Sequence, residues 1–130
     1  MRRLQVLAAA VVLAGWPLVA AHARTDFGKP AAVASLYELI VFEVDGCTYC
    51  QDFRTQILPV YTSSPMGRQA PVRFVNVSHS DETKMGLNAA ITVAPTVVLM
   101  REGQEIDRIV GYTGPINFMT MMRFLLGQGG

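Results

Sequence analysis

The chain has 130 residues, of which 51% are hydrophobic and 16% charged, and its formal net charge is +1. This composition excludes a disordered chain and a coiled coil, and the charge excludes a nucleic-acid binder that depends on a basic face. Two cysteines are too few for a small domain held together by several disulfides. The length fits one domain of ordinary size.

The first 23 residues have the pattern of a secretory signal peptide. A methionine and two arginines precede an apolar run from Leu4 to Ala21, and a small-x-small triplet ends at Ala23. We predict cleavage after Ala23, which would export residues 24–130 as the mature domain. Retention as a membrane anchor stays open, although the run is short for a spanning helix of about 20 residues and contains Pro17.

The first half of the mature chain predicts a strand, a helix and a second strand. Leu36–Val44 is rich in β-forming residues, and its apolar block Leu39–Phe42 predicts a strand buried on both faces. A helical pattern begins at Cys47 and continues to about Tyr61, with Pro59 expected to bend it. Val72–Val77 is the second predicted strand, and the helical crossover makes it parallel to the first.

The second half begins with a predicted helix over Glu82–Ala89, capped by Ser80 or Asp81. Thr96–Met100 and Glu105–Val110 follow as the third and fourth strands. A tight turn separates these two strands, so we expect them to form an antiparallel hairpin.

The last predicted element is a helix that begins at Pro115 and ends at Gly127. The full order is β-α-β-α-β-β-α, which predicts a three-layer α/β/α domain around a mixed sheet. Helical spacing places four apolar residues on the buried face of this helix: Ile116, Met119, Met122 and Leu126.

The two cysteines form a CxxC motif at the point where the first strand gives way to a helix. A thiol in a first helical turn faces unpaired backbone N–H groups and the positive end of the helix dipole, and both favour the thiolate. Such cysteines have pKa values of about 3.5–7.5 instead of about 8.5. We therefore predict that Cys47 is the exposed nucleophile. Cys50, one turn further in, is suited to attack the resulting mixed disulfide and release the partner.

Two alternatives to redox chemistry remain open at this motif. A zinc site needs two further ligands, and residues 24–130 offer only His79 besides carboxylates. A static disulfide is the other alternative, although so short a ring removes little chain entropy and stabilises weakly. We expect neither a metal nor a cofactor.

Three motifs together resemble the thioredoxin fold: CxxC after the first core strand, Pro59 within the following helix, and Ala94-Pro95-Thr96 at the start of the third strand. The resemblance covers Ser35 to Leu126. It implies an α/β domain of thioredoxin fold with thiol–disulfide oxidoreductase activity.

The resemblance also implies roles for individual residues. Cys47 would be the attacking thiol and Cys50 the resolving thiol, with Pro95 as a cis-proline beside them. The backbone before this proline would pair with an extended protein substrate. The implied substrate-binding residues are Tyr49, Ala94, Thr96 and Gly111.

Three further blocks, Tyr61–Arg73, Pro95–Leu99 and Arg108–Gly114, resemble the small periplasmic thioredoxins of bacterial sulfur-oxidation clusters. The resemblance implies a monomer that keeps the thiol of a partner protein reduced in the periplasm. The partner would be a sulfur-oxidation carrier protein, and a membrane electron donor would recharge the cysteines. The opposite direction, disulfide donation, and a non-catalytic binding module remain open.

The chain departs from typical thioredoxins around the cysteines. Gly46 replaces the tryptophan that usually precedes the first cysteine. The positions of the buried aspartate and its lysine partner are occupied by Val41 and Phe74, so that proton relay is absent. Glu43 or Asp45 can take over proton transfer, or both are solvated carboxylates at the end of the strand.

Overall fold

The structure, a computed structural model, describes residues 35–127. The predicted signal peptide, its cleavage point after Ala23 and the start of the mature domain lie outside the described residues. Within 35–127, no helix has both the length and the hydropathy needed to cross a membrane.

The centre of the domain is a four-stranded sheet in the order β2-β1-β3-β4. Its strands are β1 (Tyr37–Glu43), β2 (Val72–Asn76), β3 (Thr96–Arg101) and β4 (Gln104–Val110). β1 and β2 are parallel, whereas β1 with β3 and β3 with β4 are antiparallel. The predicted parallel pair, the predicted hairpin and the mixed sheet are thereby confirmed.

A continuous helical segment follows β1 and carries the second cysteine. It consists of α1 (Thr48–Asp52), a π-helical turn (Phe53–Ile57) and α2 (Leu58–Ser63). Pro59 explains the wide turn, because its ring displaces the carbonyl one turn earlier and it has no N–H to donate. Just before it, the Leu58 amide donates to the Phe53 carbonyl five residues back. The predicted bend is therefore a widened turn.

The last helix, α4 (Pro115–Gly127), buries a different face from the one predicted. Phe118, Met122 and Leu126 are buried, Met119 is half-buried and Ile116 is 83% exposed. The prediction is confirmed for Met122 and Leu126 and wrong for Ile116. Apolar residues occur on all sides of this helix, so helical spacing alone is compatible with two overlapping faces.

One core fills the space between the sheet and these helices. The Phe118 ring meets Phe53 and Tyr61 edge-on, with centroids 5.2 and 5.6 Å apart. The Tyr61 hydroxyl donates to the Ala70 carbonyl at 2.8 Å, which ties α2 to the end of the short helix α3 (Pro65–Gln69). Burial raises the pKa of Tyr61 above its ordinary range. The strands contribute Tyr37, Leu39, Val41, Val97, Leu99 and Ile109.

A second, smaller core lies on the opposite face of the sheet. The prediction that a helix over Glu82–Ala89 covers it is wrong. Within 82–89 only Glu82–Lys84 is helical, as one 3₁₀ turn. Asp81 does cap this turn, as predicted, by accepting from the Thr83 amide. The layer is therefore built from turns and loop, whose apolar side chains cover Ile40, Phe42, Val75, Val98 and Met100.

Long-range contacts explain why this segment is not a helix. A Cβ at Gly86 would lie 2.0 Å from the Gly103 carbonyl oxygen, so the two backbones touch where only glycine fits. Arg108 donates to the carbonyls of Ala89 and Ala90, which holds the end of this loop against β4. The α/β class is confirmed, with one layer of helices and one layer of turns.

Candidate active site

The cysteine pair lies at the start of α1. Cys47 is the N-cap residue, and the Cys50 amide donates to its Sγ at 3.1 Å. The two cysteines form a disulfide with a Cα–Cα distance of 5.2 Å. Cys47 is half-buried, whereas Cys50 is 4% exposed. The motif thus presents one accessible sulfur and one covered sulfur.

This arrangement has a chemical consequence for the dithiol form. The Cys50 amide and the positive end of the helical segment both stabilise negative charge on the Cys47 sulfur. The covered Cys50 sulfur has little access to water, which disfavours its charged form. An incoming disulfide therefore reaches the Cys47 sulfur first, and the covered Cys50 sulfur is placed to attack the mixed disulfide second.

Three chain segments meet at this end of the sheet. Thr96 pairs with Phe42 on one side and Val110 on the other, so the residues before β3 and after β4 lie beside the end of β1. The Ala94–Pro95 peptide bond is cis. Gly111, at a φ of +80°, donates its amide to the Pro95 carbonyl at 2.8 Å.

Thr96, the first residue of β3, holds the segment before Pro95 in place. Its side chain is 1% exposed, and its hydroxyl donates to the Val93 carbonyl at 2.7 Å. Of the predicted substrate-binding residues, Thr96 is therefore the one whose side chain is turned away from the surface. Ala94 is half-buried and Val93 is 45% exposed, so the segment before Pro95 reaches the surface.

Two tyrosines extend the surface beside the cysteines. The Tyr49 and Tyr112 rings stack with centroids 6.0 Å apart and planes inclined by 17°. Tyr49 is 62% exposed, and the Tyr112 hydroxyl donates to Oε1 of Gln56 at 2.9 Å. The stack joins the CxxC motif to the loop after β4, a contact that sequence reasoning missed because the two rings are 63 positions apart in the sequence.

A hollow of about 160 Å³ lies next to the disulfide and is lined by Glu43, Asp45, Cys47, Cys50 and Arg54, among others. The Arg54 guanidinium donates to both Glu43 carboxylate oxygens, at 2.7 and 3.0 Å. The Glu43 side chain is only 19% exposed. The sequence left two alternatives for Glu43, proton transfer or a solvated carboxylate at the end of the strand. The low exposure of its side chain does not fit the second alternative.

Asp45, by contrast, is solvated. Its side chain is 72% exposed and accepts from Nδ2 of Asn76 at 2.7 Å, with Nε2 of His79 at 3.0 Å. The hydrogen bonds from His79 and then Asn76 lower the pKa of Asp45. The His79 side chain is exposed as well.

The described part of the chain contains no cluster of three or more histidine, cysteine or acidic side chains arranged to hold a metal ion. Both cysteines are engaged with each other. The chemistry available at this site is thiol–disulfide exchange between Cys47, Cys50 and an incoming sulfur.

Fold and site together define a thiol–disulfide oxidoreductase. A family model described as a thioredoxin-like domain matches residues 31–126. The chain therefore belongs to the thioredoxin-like family, and the predicted thioredoxin fold is confirmed.

Individual relatives agree with this assignment. The periplasmic thioredoxin SoxS from Paracoccus pantotrophus, solved in its reduced form, is 34% identical; the match covers 72% of this chain and 99% of that one, with a TM-score of 0.67. A disulfide bond formation protein from Brevibacillus choshinensis is 26% identical over 87 residues, covering 67% of this chain and 71% of that protein. The thioredoxin Mala s 13 from Malassezia sympodialis is similar in fold, with 24% identity, 69% and 75% coverage and a TM-score of 0.53.

Proposed function

We propose that the protein is exported to the periplasm, where it reduces a disulfide or mixed disulfide of a partner protein and so keeps that partner active. The observation that carries this proposal is the half-buried N-cap sulfur of Cys47, which accepts the Cys50 amide beside a covered Cys50. The similarity to a periplasmic thioredoxin and the signal-like first 23 residues support export.

The charges around the cysteines favour the reducing direction. A strong disulfide donor owes its oxidising power to a reduced form that is unusually stable. Here the basic side chain that lines the hollow, Arg54, is already neutralised by Glu43, and Asp45 adds a further negative charge. Stabilisation of the Cys47 thiolate therefore rests on the amide and the helix end alone, which leaves the disulfide comparatively stable and the dithiol a good reductant.

The surface around Cys47 suits an extended protein segment. The half-buried Ala94 lies where a peptide could pair with its backbone, and the exposed ring of Tyr49 offers apolar area beside it. Gly111 lies at the edge of the same surface, where its amide donates a hydrogen bond to the Pro95 carbonyl. The partner is a sulfur-oxidation carrier protein, as the resemblance implies, and a membrane electron donor regenerates the dithiol in an oxidising compartment.

Replacing Cys50 by serine is expected to trap the partner covalently. Cys47 still attacks, but no second thiol resolves the mixed disulfide. Cells that express the Cys50→Ser variant should yield a complex that is stable in denaturing gels and is released by reductant, and its mass should identify the partner. The matched control is the Cys47→Ser, Cys50→Ser double variant, which should form no adduct. Absence of any adduct with the single variant would contradict the proposal.

A second candidate function is disulfide donation, which the similarity to a disulfide bond formation protein favours. The same trap distinguishes the two directions. A reductase is captured on partners that arrive oxidised, whereas a donor is captured when its own disulfide is attacked by a partner thiol. The reductase complex forms from Cys50→Ser with a free Cys47 thiol. The donor complex forms only when Cys47 of this variant already carries a small thiol as a mixed disulfide.

A further inference from the structure

The carboxylate of Glu43 faces the helical layer that carries Cys50. Side chains alternate between the two faces of a strand, so Leu39, Val41 and Glu43 of β1 share one face. Leu39 and Val41 belong to the core under the helices. Glu43 is the next position on that face, at the end of β1 nearest the CxxC motif, and it lines the same hollow as Cys50.

Arg54 fixes the orientation of this carboxylate. Its guanidinium makes two hydrogen bonds to Glu43, a fork geometry that holds both oxygens. The same guanidinium lies 3.6 Å from the centroid of the Phe74 ring, which supports it from the β2 side. Phe74 pairs in register with Val41, so apolar side chains occupy the middle of the sheet and the charged pair sits nearer the cysteines.

The other ionisable groups around the hollow are less suited to take a proton from Cys50. Asp45 is 72% exposed and is held by Asn76 and His79, which lower its pKa and make it a weaker base. His79 is bonded to Asp45 and is itself 70% exposed. Among the described residues, the other carboxylate that lines the hollow with Cys50 is that of Glu43. The hollow has room for water to bridge the two groups, because one water needs only about 15 Å³.

We propose that Glu43 accepts the proton of the Cys50 thiol when Cys50 resolves the mixed disulfide, and that Arg54 is its positioning residue. In this step the Cys50 S–H proton passes to Glu43, the Cys50 sulfur attacks the Cys47 sulfur, and the bond from Cys47 to the partner sulfur breaks. The partner leaves as a thiolate and takes up a proton from Glu43 or water. Over attack and resolution together, the cysteine pair loses two electrons and the disulfide of the partner gains them.

The charge pair suits this transfer. A negative charge moves from Glu43 to the Cys50 sulfur while the Arg54 cation stays in the same hollow, so the net charge of the hollow does not change. The inference rests on thiol–disulfide exchange at the CxxC pair and holds for either direction of electron flow in the cell.

The test measures the two steps separately in the reduced full-length chain. The aromatic disulfide DTNB releases one coloured thiolate when Cys47 attacks, at a rate proportional to its concentration. It releases a second when Cys50 resolves the adduct, at a rate that does not depend on concentration. In Glu43→Gln we expect the second phase at pH 7 to slow about tenfold to a hundredfold, since a positioned base contributes about a hundredfold or more and water replaces it in part. The first phase should not slow, because loss of the Glu43 charge leaves the Arg54 cation free to favour the Cys47 thiolate.

The pH profile separates proton transfer from a structural effect. The second-phase rates of wild type and Glu43→Gln should converge above the ordinary thiol pKa of about 8.5, where hydroxide removes the proton. Arg54→Lys, which keeps the charge and loses the fork, should slow the second phase by a smaller factor. Asp45→Asn removes a negative charge without removing the proposed base, so it should not slow the second phase. An unchanged or faster second phase in Glu43→Gln, equal slowing of both phases, or an equal loss in Asp45→Asn would overturn the inference.

Discussion

Replacement of Cys47 by serine is expected to lower the reduction of a protein disulfide by about a thousandfold or more, because it removes the attacking sulfur. Cys50 cannot take over, since its side chain is covered and the residue is 4% exposed. The helix-end amide that stabilises a thiolate is also directed at position 47 and not at position 50. Turnover with a protein disulfide and a chemical reductant measures this loss.

Cys50→Ser is the matched control, since it removes one sulfur from the same motif. With DTNB in single turnover, Cys50→Ser should release one equivalent of coloured thiolate at the wild-type rate of the first phase. Cys47→Ser should release it far more slowly. Rapid release by Cys47→Ser would show that the assignment of the two sulfurs is reversed.

The largest expected loss of stability follows from replacing Arg108 by methionine. Arg108 donates to the Glu105 carboxylate at 2.5 and 2.6 Å, and the Glu105 side chain is only 3% exposed. Methionine keeps most of the aliphatic stem but removes the charged partner of this carboxylate, which then keeps only the Asn88 amide as a donor, at 2.7 Å. Removal of one member of a buried pair costs about 3–5 kcal/mol. Arg108 also anchors the loop over the second core through the Ala89 carbonyl, at 2.9 Å.

A second arginine pair provides the control for this prediction. Arg73 donates to the Glu38 carboxylate at 2.6 and 3.1 Å, but both side chains are exposed, at 45% and 42%. Arg73→Met should therefore cost only about 0.2–1 kcal/mol. Urea unfolding of both variants measures the difference, and equal losses would contradict a structural role for the Glu105–Arg108 pair.

The same pair predicts part of the acid sensitivity. The hydrogen bonds from Arg108 hold the pKa of Glu105 below its ordinary value. A pKa that is lower in the folded state contributes stability above the unfolded value of about 4.3, and this contribution is lost as the pH falls through the folded value. The unfolding free energy of the wild type should fall over this acidic range, and Arg108→Met should lose that part of the dependence.

The strands and the cysteine site were predictable because their signals are local. The continuous apolar block in β1 indicates a strand buried on both faces, and Leu39 to Phe42 are 0–1% exposed. A CxxC motif directly after such a strand places Cys47 at a helix start, where the structure has it as N-cap. The turn between β3 and β4 likewise predicts the hairpin.

The layer over the second core was not predictable from local pattern. Its sequence has helical spacing, but Gly86 touches the backbone at Gly103 and Arg108 takes two carbonyls of the segment. Both contacts come from the β3–β4 hairpin, about twenty residues away in the sequence. Tertiary contacts of this kind override a marginal local preference for helix.

The Glu43–Arg54 pair was only half visible in the sequence. Strand alternation places Glu43 on the same face as Val41, which indicates a position under the helix and argues against full solvation. The partner was not visible, because Arg54 lies in the widened π-helical turn that Pro59 imposes. Regular helical spacing does not describe such a turn, so the direction of its side chains required the structure.

The central claim, that this thioredoxin-like protein is a reductant, is tested most directly by the reduction potential of the Cys47–Cys50 pair. Thiol labelling across graded redox buffers gives the value, with the Cys50→Ser variant as the blank for single-thiol labelling. A hollow with a neutralised arginine and an excess of carboxylate predicts a potential near the value of about −270 mV that is typical of thioredoxin. A potential near about −120 mV, that of a strong disulfide donor, would contradict the claim.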